Sequence, residues 1–175
     1  MTSLTTATTT HDTAVQITRF RQLPTSLRNT LFRRGVTTVG VLALCTEAEV
    51  KMWRKIGPAS CEALENILLA HKLSYRKAHE PMLDKARRLY PDTRKVPVGA
   101  LVQLPTLDQS SRQNIVSSDY ARHTLGDFAH LSEGQLAQLI GRNRGYQGVR
   151  TQTIINDQVT EITTFLTALG LRLAN

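Results

Sequence analysis

The strongest constraint on this chain is that it repeats itself. Thr38-Val39-Gly40-Val41-Leu42-Ala43-Leu44-Cys45-Thr46-Glu47-Ala48-Glu49-Val50 returns, position by position, as Thr124-Leu125-Gly126-Asp127-Phe128-Ala129-His130-Leu131-Ser132-Glu133-Gly134-Gln135-Leu136. Two copies of one unit account for this, so a fold proposed for the first half must also serve the second. With 175 residues in all, each copy buries only a modest core.

Within the first copy the apolar spacing is helical. Leu23, Leu27, Leu31 and Phe32 share one face, Pro24 opens that helix and Gly35 stops it. Val36 to Leu44 mixes β-branched residues with a helix-like run. A strand there has no neighbour to pair with, so we read a turn in which Thr37 or Thr38 caps a small helix over Val39 to Leu44. Thr46 and Glu49 spell a capping box for the next helix, which leads through Val50 and Trp53 to the turn Arg54-Lys55-Ile56-Gly57-Pro58-Ala59-Ser60. Pro58 suits a first helical position, and Cys61, Leu64, Ile67 and Leu68 then recur on one face to about His71. In the second copy Gly145 to Thr151 takes the place of that turn. A long helix carrying Ile154, Ile155, Val159, Ile162, Phe165, Leu166 and Leu169 follows it and ends at Gly170.

The expected fold class is therefore all-α, with two small helical domains over 16–75 and 98–175. Residues 1–15 are dominated by Thr and carry too little apolar surface to offset the entropy of ordering, which reads as a flexible tail. Residues 76–97 read as a basic connector with one short helix between Pro81 and Pro91, where Met82, Ala86 and Leu89 share a face.

The turn at Gly57 carries the chemistry. Glycine lets a ligand's backbone come close, and the free N–H groups of the next turn, with the positive end of the helix dipole, make an anion site beside Arg54 and Lys55. Phosphate is the obvious anion. Gly57 and Ser60 serve equally well as a plain turn and cap, and Arg33 and Arg34 as a solvated face. The whole chain holds 22 Lys and Arg against 14 Asp and Glu, a net charge of +8, which favours polyanions or acidic protein surfaces. Most of that excess lies outside the second copy: residues 98–175 hold six basic and six acidic side chains, residues 17–75 nine and four.

Other classes find no support. Cys45 and Cys61 form no CxxC pair and the five histidines show no zinc spacing, so we expect neither a metal nor a disulfide framework, and a reducing cytoplasm. There is no Walker-type loop, nucleophile elbow or paired carboxylate set in an apolar stretch. An enzyme with a cofactor or a small-molecule substrate is not expected. No apolar run reaches membrane length and the start lacks the pattern of a secretory signal, so the reading is a soluble cytoplasmic protein, at the nucleoid or in the host cytoplasm if phage-encoded.

The order of an apolar helix, Ile-Gly-Pro-x-Ser and an amphipathic helix resembles the helix-hairpin-helix module, which holds nucleic-acid backbones. With Asn29 to Leu42 and Thr46 to Val50 included, residues 17 to 75 resemble the C-terminal domain of the bacterial RNA polymerase α subunit, and residues 98 to 175 a diverged second copy. The resemblance implies a compact helical domain that binds the DNA minor groove upstream of promoters and contacts transcription factors. Carried over, it makes Asn29, Gly57 and Ser60 DNA contacts. Ser26 stands where the family has a groove-entering arginine and Ala59 where it has the hairpin lysine, which should weaken A·T-tract reading. Arg28, Arg33, Arg54 and Lys55 would then supply phosphate contacts. In the second copy Arg112 with Asn114, and Gly148 with Arg150 and Thr151, occupy the corresponding neighbourhoods.

The expected partners are duplex DNA and RNA polymerase or a transcription factor, without a membrane. Two alternatives stay open: an adaptor that keeps the fold for protein contacts and has lost DNA binding, and a binder of single-stranded or junction DNA. The few aromatics available to stack on bases count against the single-strand version.

Overall fold

Small polar residues and prolines set where the helices begin. In the computed structural model, which describes residues 12–142 and 149–174, Pro24 precedes α1 (Thr25–Arg33). The Thr38 hydroxyl accepts the Val41 N–H at 3.3 Å to open α2 (Val39–Leu44), all six residues of which are buried. Thr46 and Glu49 close a capping box on α3 (Glu47–Lys51). Pro58 takes the first position of α4 (Pro58–Ala70), whose Leu64, Ile67 and Leu68 face inward. The second half continues with α5 (Met82–Leu89), α6 (Gln109–Val116), α7 (Leu125–Phe128), α8 (Glu133–Gly141) and α9 (Val149–Ala168). Short 3-10 turns lie at Ile17–Arg19, Thr93–Lys95, Val98–Gln103 and Asp119–Arg122. The described residues are mostly helical and contain no strand, only isolated bridges, so the class is all-α.

The sequence repeat is also a repeat of hydrogen bonds. Gln16 bridges Thr38 as Pro97 bridges Thr124, and Thr46 bridges Arg76 as Ser132 bridges Ala174. The Ile17 N–H donates to the Thr37 carbonyl, and the Val98 N–H to that of His123, at 2.9 Å each. Both units close the same way: the Leu73 N–H reaches the Leu68 carbonyl at 2.8 Å and the Leu171 N–H that of Leu166 at 2.9 Å. A left-handed residue precedes each closure, Lys72 at φ 56 and Gly170 at φ 79. Gly40 and Gly126 occupy matching positions and share one close neighbour, the incoming chain, with the Tyr90 hydroxyl closing the space further at Gly40. A Cβ on Gly40 would stand 2.8 Å from the Thr13 carbonyl oxygen, and one on Gly126 3.1 Å from that of Arg94, because the incoming chain crosses each helix start at that point.

The two repeats share one cluster of buried apolar side chains, running from Ile17 through Leu89 and Tyr90 to Leu171. The segment between the repeats lies inside it. α5 packs on α2, burying Ala86, Leu89 and even Lys85, while Arg87 and Arg88 stay at the surface. The joint itself is made backbone to backbone. The Gly35 carbonyl oxygen lies 2.0 Å from where a Cβ on Gly99 would sit, which only glycine permits. Beside it, the Gln103 side-chain amide donates to the Arg34 carbonyl at 2.6 Å, and its oxygen accepts from the Cys45 thiol at 3.6 Å. Burial, with the Glu49 charge adding to it, pushes the Cys45 thiol far above its ordinary pKa and keeps it a neutral donor.

Candidate nucleic-acid interface

Trp53 is buried behind the turn that leads into α4, and the Arg34 guanidinium lies over its ring, 5.8 Å from the centroid. This brings the end of α1 alongside the hairpin. The Ile56 N–H closes a turn on the Trp53 carbonyl at 3.2 Å, and Lys55 takes up the reversal at φ 72. The strained position is thus a lysine. Gly57 itself sits at φ −97 and ψ 175, extended backbone open to any residue, and a Cβ there would meet no atom within 4 Å. Nothing in the isolated fold requires glycine at 57.

The first helical bond of α4 is Cys61 N–H to the Gly57 carbonyl, at 3.0 Å. Pro58 carries no N–H and Gly57 has no side chain to cap with, so the amides of Ala59 and Ser60 open the helix. Arg54, Lys55 and Gly57 are exposed beside them and Ser60 is half-buried. With the helix dipole, this arrangement suits an oxyanion such as a backbone phosphate.

On α1, Asn29 and Arg33 are exposed and Arg28 is half-buried, its guanidinium donating to the Thr25 hydroxyl at 3.2 Å. Asn29 and Arg28 wall a depression of about 710 Å³ with Phe32, Val36 and, from the second repeat, Arg122. The hairpin residues are not among its walls. The residues expected to act together therefore form two groups, Arg54, Lys55, Gly57 and Ser60 at the hairpin and Arg28 with Asn29 facing the other repeat, while Arg33 is exposed at the end of α1.

The second copy corrects the expectation for Asn114 and gives Arg112 a structural role. Asn114 is 2% exposed, and its side-chain amide donates to the carbonyls of Ile140, at 2.8 Å, and Arg142. It closes the end of α8 and has no surface to offer DNA. Arg112 donates from Nε to the Leu107 carbonyl at 2.8 Å and from Nη2 to that of Leu104 at 2.7 Å, strapping the turn before α6 to the helix. Arg150 is exposed and Thr151 half-buried at the start of α9, and Gly148 lies outside the described residues.

Arg122 walls the depression beside Asn29, and Lys95, one of the cations of the basic 76–97 segment, walls the one that adjoins it. Arg122 and Lys95 are both exposed, each on a 3-10 turn, and no local spacing marks them. Among the described residues no group of His, Cys, Asp or Glu is placed to hold a metal, and no helix is long and apolar enough to cross a membrane. No protein-family model, curated protein or solved structure matches the chain.

Proposed function

We propose that this protein is a non-enzymatic DNA binder. The hairpin turn grips the sugar-phosphate chain of a duplex, its two units are helix-hairpin-helix domains of the polymerase α C-terminal type, and binding serves transcription with RNA polymerase or one of its regulators as protein partner. The observation that carries the reading is Gly57. It is exposed, it takes a backbone conformation that any residue adopts, and it has empty space where a side chain would go. A glycine that the fold does not need, beside Arg54, Lys55 and an uncapped helix start, is what close approach of a phosphodiester backbone calls for. Ser26 and Ala59, in place of the family's arginine and lysine, make this binding weak in sequence choice.

Gly57→Ala tests the reading. It should cost the free protein less than about 1 kcal/mol, the small penalty of an alanine N-cap. Affinity for a labelled duplex, read by fluorescence anisotropy, should fall severalfold. A wild-type chain that shows no duplex affinity even at low salt would instead mark an adaptor that keeps the fold for protein contacts.

A further inference from the structure

We infer that the cleft between the two repeats is a second contact track for the same DNA, with Arg122 and Lys95 as its phosphate-binding side chains. This rests on the reading that the protein binds duplex DNA. Two depressions of about 710 Å³ each open on this side, one walled by Arg28, Asn29 and Phe32, the other by Tyr90, Lys95 and Pro97. They share Gln16, Thr37 and Arg122 as walls, so Arg122 stands where they join and one groove passes from α1 of the first repeat onto the second.

Charge selects the occupant. The ion pairs among the described residues are Lys51–Glu47, Arg76–Glu49 and Arg88–Glu80, which leaves Arg28, Lys95 and Arg122 unpaired along the groove against the single carboxylate of Asp92. Cations gathered in a concave wall focus a positive field that draws a polyanion. The walls are largely apolar, with Ala14, Leu89 and Pro97 among them, and the hydroxyls and amides set between, of Thr37, Thr124, Gln16 and Asn29, are the kinds of group that hydrogen-bond phosphate and sugar. The aromatic walls are Phe32, a buried Tyr90 and the small ring of His123, a poor platform for unpaired bases, which favours the backbone of a duplex.

The fold also fixes where the two cations stand. Lys95 precedes the buried Val96, Arg122 follows the buried Ala121, and the Pro97–Thr124 bridge and the bond from the Val98 N–H to the His123 carbonyl hold the two short turns together. The feature that defines the repeat is thus what presents the pair.

The test compares the full chain with K95A/R122A and with R54A/K55A, measuring duplex affinity over a range of salt, with circular dichroism and thermal melting to confirm folding. Both residues of K95A/R122A are exposed, so melting should be unchanged. We expect duplex affinity about tenfold lower and a salt slope smaller by roughly two. If K95A/R122A keeps wild-type affinity and slope while R54A/K55A weakens binding, the groove is not a DNA track and the hairpin reading stands. If K95A/R122A loses binding of adenosine monophosphate but keeps wild-type duplex affinity, the groove is a small-anion pocket and the inference fails. A wild-type chain with no duplex affinity would overturn both.

Discussion

Gly99→Ala is expected to destabilise the protein by about 3 kcal/mol or more, at the upper end of what overpacking costs. The added methyl would stand 2.0 Å from the Gly35 carbonyl oxygen, an atom of the main chain that no rotamer change can move away. Gly35 cannot easily retreat either. It sits at φ 73, and a Cβ of its own would stand 2.8 Å from Cβ of Val102, so its other side is closed as well. For a chain of this length the loss corresponds to a melting temperature lower by roughly 10 °C. Gly134→Ala is the matched control, because the nearest atom to its added methyl is the Ser132 hydroxyl at 3.9 Å and the position lies in the first turn of α8. That variant should melt at or slightly above the wild-type temperature. Equal melting of the Gly99 and Gly134 variants would mean that the repeats do not meet backbone to backbone.

The second large effect falls on binding and leaves stability alone. Arg33, Arg54 and Lys55 are exposed and belong to none of the ion pairs of the described residues, so R33A/R54A/K55A should melt like the wild type. Its duplex affinity should fall roughly ten- to hundredfold at moderate salt, with a salt slope smaller by about three, if each side chain neutralises one phosphate. Because phosphate contacts position without reading sequence, random and A·T-rich duplexes should lose affinity alike. A variant that lost affinity for A·T-rich duplex alone would place these side chains in the minor groove instead.

The helices were legible because their ends are chemically marked. Thr38, the Thr46–Glu49 box, Pro58, Gly35 and Gly170 each sit where the backbone needs a cap or a left-handed turn, and these demands are local. The position-by-position match of Thr38 to Val50 with Thr124 to Leu136 was legible for the same reason, and it reappears as matched bridges. Facing was harder to read. α6 turns Ser111 and Asn114 inward against α8, so two buried positions are polar and the helix shows no clean apolar stripe. Without that stripe, Asn114 looked like a counterpart of Asn29, although one is buried and the other exposed. The shared face of Met82, Ala86 and Leu89 on α5 was legible, but the surrounding Lys85, Arg87 and Arg88 gave no sign that this face joins the core of the repeats. The groove had no local signal at all. Lys95 and Arg122 are distant in sequence and meet through the Pro97–Thr124 bridge, a tertiary contact.

That exposed amides at the start of α4 hold a phosphate is tested most directly by titrating the isotope-labelled full chain with duplex DNA and following its backbone amide signals. We expect the Ala59 and Ser60 amides to shift first and furthest, with Gly57 and Lys55 moving in step, and to return on addition of salt. Saturable duplex binding that leaves Ala59 and Ser60 unmoved while amides elsewhere respond would contradict it.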